Sequence, residues 1–214
     1  MIIAGPQSSG KTTLFNFLKK KIKNAVFLEE INPFTLVGKK HLGGAFVDLK
    51  IEKQIINEDL KRLKKIISQK SKKELVIEET GIFHLIYLKK LANEEIRAHY
   101  FQKYFRLYNK IIPLIIFIDT KPQISWRRRK QIYLSRLKNI TDQKQKKLML
   151  KKYQEKIFEL YPQWRWLYRY LPFRKVIIKN SHKKKRDFLK ETLKIVDLFL
   201  HSKNLFNKKI HSIR

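Results

Sequence analysis

The residues best suited to chemistry stand near the start of the chain. Gly5-Pro6-Gln7-Ser8-Ser9-Gly10-Lys11-Thr12 fits the spacing G-x-x-x-x-G-K-[ST]; an apolar run ends at Ala4 just before it, and an amphipathic stretch begins at Lys11. That order builds a nest of backbone N–H groups at a helix N-terminus, where oriented donors and the macrodipole favour a bound anion. Gly5 and Gly10 permit the tight backbone path. Lys11 is expected at the β- and γ-phosphates of a nucleoside triphosphate, and the Thr12 hydroxyl at Mg²⁺. Ser8, Ser9 and Thr13 complete the expected nucleotide contacts. A Gly-Ser turn before a capped helix is the plainer account of the same residues.

A hydroxyl alone does not hold a metal, so a carboxylate must end a neighbouring strand. Glu29-Glu30 follow AVFL, Glu78-Glu79 follow LVI and Asp119 follows LIIFI, which puts all of them at the carboxyl edge where α/β sheets bind ligands. Glu78 is the expected Mg²⁺ ligand, directly or through water, because LVIE is an apolar run closed by an acid. Glu29 or Glu30 is then left for the acceptor. As plain structure, each acid is a helix-cap neighbour or a salt-bridge partner among many lysines. Arg127-Arg128-Arg129 supplies planar guanidinium groups that can meet two oxygens of a moving phosphoryl group, where a lysine is a point charge. The triplet points three ways around a helix, so at most two of its members can face phosphates.

Short, nearly continuous apolar runs at Met1–Ala4, Ala25–Leu28, Glu74–Ile77, Pro113–Ile118 and Lys175–Ile178 have the character of buried parallel strands. Helical periodicity marks Thr12–Ile22, Ile51–Ile67, Phe83–Leu91, Glu94–Tyr108, Ile124–Leu137, Leu148–Tyr161 and Phe188–Leu200. The alternation predicts an α/β sheet with right-handed crossovers. Ile31–Phe46, with its proline and glycines, and polar Asn139–Lys147 read as loops near the site.

With 214 residues, 43% of them hydrophobic, the chain can bury a sizeable core as one domain. No apolar run approaches the ~18–20 residues that span a bilayer, and no secretory signal opens the chain, so a cytoplasmic protein is expected. The absence of cysteine removes disulfide and thiolate chemistry. A net charge of +32 invites a polyanionic partner, yet 38 of the 50 basic residues are Lys, scattered in pairs and triplets as solvated faces are. Tyr161-Pro-Gln-Trp-Arg-Trp-Leu-Tyr-Arg-Tyr could stack single-stranded bases, but Trp164, Leu167, Tyr168 and Leu171 recur at the spacing of a packed helix.

From Met1 to about Asn180 the chain resembles the nucleoside and nucleotide kinase branch of P-loop proteins, most like the deoxynucleoside kinases and next the thymidylate kinases. The resemblance rests on GPQSSGKT, on an acid-ended second strand followed by Asn32-Pro33-Phe34, on LVIEETGIF and on the lid-like IDTKPQISWRRRKQIYLSR. It implies a three-layer P-loop NTPase fold, a mostly parallel five-stranded sheet flanked by helices, with an arginine-bearing lid at about 122–147; the domain is expected over residues 1–201, and residues 202–214 read from their composition as a loosely attached basic tail. It further implies ATP- and Mg²⁺-dependent phosphoryl transfer to a nucleoside or nucleoside monophosphate. In that reading Glu29 or Glu30 takes the hydroxyl proton, while Arg128 and Arg136 neutralise the transferred group. The implied partner is a small-molecule acceptor; weak nonspecific nucleic-acid binding and a homodimer are further candidates, and no membrane is implied. Two departures stand out. Glu79-Thr80 occupies the place where these families follow an acid with arginine, so Arg97, Arg127 or Arg129 would have to substitute. The family's base-reading glutamine has no clear counterpart near Phe46 to Glu52. The alternative is a P-loop ATPase or nucleic-acid-binding module with no small-molecule acceptor.

Overall fold

Five apolar runs become five parallel strands, β1 (Ile2–Ala4), β2 (Ala25–Leu28), β3 (Leu75–Glu79), β4 (Leu114–Asp119) and β5 (Arg174–Lys179), in the order β2-β3-β1-β4-β5. The computed structural model describes residues 1–38, 44–69, 75–180 and 184–211. The helices are α1 (Lys11–Lys21), α2 (Pro33–Val37), α3 (Leu49–Gln69), α4 (Glu94–Tyr108), α5 (Pro122–Arg136), α6 (Gln143–Tyr170) and α7 (Lys185–His211).

Strand parity sorts the core into two layers, because successive side chains point to opposite faces. Ile2, Ala4, Val76, Ile115 and Phe117 pack with Ile56 and Leu60 of α3, Tyr104 and Tyr108 of α4, and Trp164 and Leu167 of α6. Ile3, Ile77, Leu114, Ile116 and Ile118 face the other way, onto Leu14, Phe15 and Leu18 of α1 and Phe188 and Val196 of α7. Both faces are covered, which is why the strand sequences are continuous rather than alternating. Each fully buried Leu, Ile or Phe contributes about 1.5–3 kcal/mol, so Ile3 or Phe15 alone matters to a marginally stable fold.

Several segments differ from the sequence reading. β3 runs on through Glu78 and Glu79, so both acids sit within the strand; Glu74, expected to open it, lies outside the described residues. Residues Gly81–Lys90 form a 3₁₀ helix where an α-helix was expected over Phe83–Leu91; Gly81 to Ile86 and Leu88 are buried and the exposed residues are confined to Lys89 and Lys90 at its end, so no polar face sets a 3.6-residue stripe. The expected loop Ile31–Phe46 contains α2 and a 3₁₀ turn at Gly44–Phe46, while residues 39–43, Gly43 among them, lie outside the described residues. The expected loop Asn139–Lys147 turns helical at Gln143, because the Asp142 side chain accepts from the Lys144 amide and the following Gln and Lys residues are good helix formers.

Elements α5 and α6, joined by a short connection, cover the lid-like stretch and pack through Tyr133, Leu137, Tyr153 and Ile157. The Tyr133 and Tyr153 rings stack with centroids 3.9 Å apart. The helix α7 continues unbroken past residue 201, where a tail was expected to begin, and residues 212–214 lie outside the described residues.

Candidate active site

The turn between β1 and α1 takes its shape from backbone conformations that few residues adopt. Gly5 has φ of +150° and Gly10 of +105°, and a Cβ on Gly5 would lie 2.4 Å from the carbonyl oxygen of Ile118. Gly10 caps α1 without a side-chain hydrogen bond, so the first-turn amides of the helix are left for another acceptor. Two outside residues brace the loop. Asn180 donates to the carbonyl of Ser9 at 2.6 Å, and Arg128 donates to the carbonyl of Ser8 at 3.1 Å.

Beside the loop opens a cavity of about 680 Å³, lined by Ser8, Gly10, Lys11, Thr12 and Thr13 among others. Gly5 and Ser9 do not line it; they shape the loop from behind. Lys11 is only 6% exposed. Its ammonium donates to the carbonyls of Gly5 at 3.0 Å and Pro6 at 3.4 Å, lies 4.0 Å from the Glu30 carboxylate and sits 5.3 Å from the centre of the Trp164 ring. The charge is thus folded against its own loop, within reach of an anion entering the cavity.

The acids separate clearly. Thr12 donates its hydroxyl to Glu79 at 2.6 Å, and Glu79 lines the cavity. Burial and, next, the charge of Glu30 raise the proton affinity of Glu79, against the pull of the Thr12 hydroxyl and Lys11. Glu78, the acid chosen from the sequence for the metal, points through the opposite face of the sheet. It accepts from the Tyr108 hydroxyl at 2.5 Å and does not line the cavity. The reason is strand parity: Glu79 shares a face with Ile77 and α1, and Glu78 with Val76 and α4. Burial, then nearby Asp59, pushes Glu78 up to about 8. Of the other pair, both line the cavity, but Glu30 is the one near Lys11, while the Glu29 carboxylate pairs outward with Lys19 at 2.7 Å. Asp119 accepts from Tyr161 at 2.9 Å outside the cavity lining.

Among the arginines of α5, Arg129 and Arg136 line the cavity and Arg127 and Arg128 do not. Arg136 lies over Phe34 at 4.8 Å, and the buried Nε of Arg129 has no hydrogen-bond partner. Tyr133, on the same helix, donates to the Gln7 side chain at 2.6 Å and so ties α5 to the loop between β1 and α1.

Among the cavity-lining residues that had no role from sequence are Gln7, Asn16, Glu52, His84, Tyr87 and Lys156. For Glu52 a signal existed. It falls on the apolar stripe of α3 that carries Ile55, Ile56 and Leu60, and a charge on such a stripe is out of place. Glu79 could have been separated from Glu78 by counting parity along LVIEE.

Thr12, Glu79 and Glu30 form an oxygen donor set beside a phosphate nest. Mg²⁺ characteristically takes one or two carboxylates and completes its shell with water and phosphate oxygens, so these residues fit that ion. No group of three or more His, Cys, Asp or Glu suited to a metal occurs among the described residues, so an ion here depends on the nucleotide for its remaining ligands.

A family model described as deoxynucleoside kinase matches residues 1–204 of the chain. No curated protein matches it in sequence. Among solved structures, deoxyadenosine kinase from M. mycoides with bound dATP is similar at a TM-score of 0.54 and 14% identity, over 92% of this chain and 98% of that one. The same enzyme with bound dCTP gives 0.51 and 17% over 92% and 99%. Thymidylate kinase from Candida albicans gives 0.52 and 13% over 92% and 90%. At such identities these likenesses establish the fold. No helix among the described residues is long and apolar enough to cross a membrane.

Proposed function

The chain belongs to the deoxynucleoside kinase family, phosphotransferases that move a phosphoryl group from a nucleoside triphosphate to a deoxynucleoside, and we propose how its own residues divide that work. The donor is ATP, its phosphates held by the loop amides, Lys11 and Thr13, in the cytoplasm where ATP is abundant. Thr12 and Glu79 would hold Mg²⁺, which when bound neutralises charge on the phosphate oxygens. Glu30, half-buried beside Lys11, takes the proton from the acceptor hydroxyl, a task that requires it to stay ionised and near the reacting oxygen. Arg129 and Arg136 meet the oxygens of the transferred group, Arg129 in the place that the sequence assigned to Arg128. Arg128 holds the Ser8 carbonyl and so fixes the loop.

The observation that carries this reading is the meeting of Lys11, Thr12, Glu79 and Glu30 on one cavity wall, within 4.0 Å for each linked pair. The test uses labelled ATP, Mg²⁺ and a mixed deoxynucleoside pool. Labelled monophosphate is expected, with little ADP when the pool is left out, because closure excludes water. Lys11→Ala should lose at least about a thousandfold in turnover, or ~4 kcal/mol of transition-state stabilisation. Hydrolysis that needs no acceptor and rises with RNA or DNA would instead establish an ATPase acting on nucleic acid.

A further inference from the structure

The cavity wall built by the first turn of α3 and the middle of α6 carries charged groups that phosphoryl transfer does not use. Glu52 is only 4% exposed, and its Oε2 is buried without a hydrogen-bond partner. The contrast lies on the same helix. Asp59, also buried, receives the Tyr104 hydroxyl at 2.7 Å and Arg62 at 2.9 Å, as a buried acid ordinarily must. Across from Glu52 stands Lys156, its electrostatic partner, which also lies over the Tyr87 ring at 5.4 Å. Burial raises Glu52 to about 7, the Lys156 charge opposing it, and burial lowers Lys156 as well. Their mutual attraction therefore does not offset the desolvation of either. His84 Nε2, buried and likewise without a partner, lines the same cavity. Val47, Ile55 and Phe34 give the wall its apolar surface, suited to a flat ring.

We propose that Glu52 and Lys156 read the base of the acceptor and together select a guanine-type purine, making deoxyguanosine the preferred deoxynucleoside. This rests on the reading of the cavity as a deoxynucleoside site. A carboxylate offers two acceptors side by side and an ammonium offers donors. Guanine presents the complement: ring N1–H and the exocyclic amine adjacent, with the O6 carbonyl next to them. Adenine sets a ring acceptor beside its amine, and cytosine does the same, so one carboxylate oxygen would face a lone pair. Thymine has a single N–H between two carbonyls, one of which would face the carboxylate. A site built for a donor rejects an analogue that lacks it, because the buried acceptor is then left unpaired.

The experiment measures binding of deoxyguanosine, deoxyinosine, deoxyadenosine, deoxycytidine and thymidine by titration calorimetry, above the midpoint of the Glu52 carboxyl, with turnover under ATP and Mg²⁺ followed in parallel. Deoxyguanosine should bind tightest, and deoxyinosine, which lacks only the exocyclic amine, at least about tenfold more weakly. Glu52→Gln, whose amide offers one acceptor and one donor, should narrow the preference for deoxyguanosine over deoxyadenosine by about tenfold or more. Lys156→Met should weaken deoxyguanosine and deoxyinosine together and deoxyadenosine least. Equal binding of deoxyguanosine and deoxyinosine by the unmodified protein overturns the proposal, whether or not the variants fold. So does a Glu52→Gln protein in which every ligand weakens by one common factor. If binding shows the expected ranking while no phosphate is transferred, the base assignment stands and the kinase reading fails.

Discussion

Glu78 and Glu79 are consecutive on β3, yet their carboxylates act on opposite faces of the sheet: Glu78 accepts from Tyr108 at 2.5 Å on the α4 side, and Glu79 accepts from Thr12 at 2.6 Å on the α1 side. One residue of register thus separates an acid in the core from an acid at the phosphate loop. The core acid belongs to a buried network. Tyr104 donates to Asp59, which Arg62 also contacts at 2.9 Å, and the Tyr104 and Tyr108 rings stack with centroids 5.9 Å apart.

The division predicts different consequences for two chemically identical substitutions. Glu79→Gln should cut turnover by about a hundredfold or more and move the Mg²⁺ titration to higher concentration, as loss of a preorganised charge does. Glu78→Gln should leave the Mg²⁺ titration in place and turnover within about threefold, since its effect is felt in packing. Steady-state rates across a Mg²⁺ series check both. A shifted titration in Glu78→Gln with none in Glu79→Gln would reverse the assignment.

Glu78 should instead appear in the pH dependence of stability. Its affinity for a proton is raised from the ordinary 4.5 to about 8, chiefly by burial, so the folded protein holds that proton more tightly than the unfolded chain. Its contribution is therefore full below 4.5 and is lost as pH rises through about 8. Thermal melts across that window should show a falling Tm in the unmodified protein and a shallower fall in Glu78→Gln. Some slope remains in the variant, because Glu52, raised to about 7, and Glu79, also raised by burial, act with the same sign. Equal slopes in the two proteins would remove Glu78 from this role.

The phosphate loop was legible from residue types because its geometry is local: Gly5 and Gly10 adopt φ values of +150° and +105° that mark glycine, and Lys11 and Thr12 follow in fixed order. The strands were legible because both faces of the sheet are covered. What the sequence left open depends on contacts between distant segments. Glu29 and Glu30 look alike in the chain, and only the placement of Lys19 and Lys11 sends one outward and one inward. Lys156 lies 104 residues from Glu52, on a helix whose face toward the cavity is set by the packing of Tyr153 and Ile157. The periodicity read at Phe83–Leu91 did not distinguish an α-helix from the 3₁₀ stretch Gly81–Lys90, whose exposed residues, Lys89 and Lys90, lie together at its end.

Among the arginines of α5, rank should follow the cavity. Arg129→Ala and Arg136→Ala should each lower kcat by about 10²–10³-fold, the range for a donor that meets developing charge. Arg128→Ala should cost less than about tenfold in kcat, because its guanidinium braces the Ser8 carbonyl and does not line the cavity. Single-turnover measurements on the three variants separate these effects from binding. The largest loss in Arg128→Ala would restore it as the residue on the phosphoryl group.

The aromatic stretch of α6 decides whether the basic surface has a use of its own. Trp164 is buried and stacks on Phe83 with centroids 5.6 Å apart, so its removal would confuse lost packing with lost binding. Trp166 and Tyr170, 57% and 59% exposed, stack on each other at 4.9 Å and 13°, one turn apart on the helix surface. A pair already stacked offers only its outer faces to a base. If the charge of +32 merely solvates the protein, affinity for single-stranded DNA should be weak and should collapse with salt, each neutralised phosphate contributing a log-log slope of about −0.7. Stacking is only slightly screened and is worth about 1–3 kcal/mol per base. Trp166→Ala should therefore leave the salt-resistant part of the binding unchanged, or that part should be absent from the unmodified protein, as read by fluorescence titration at rising salt. A salt-resistant affinity that falls about tenfold in folded Trp166→Ala, ~1.4 kcal/mol, would make this helix face a nucleic-acid platform.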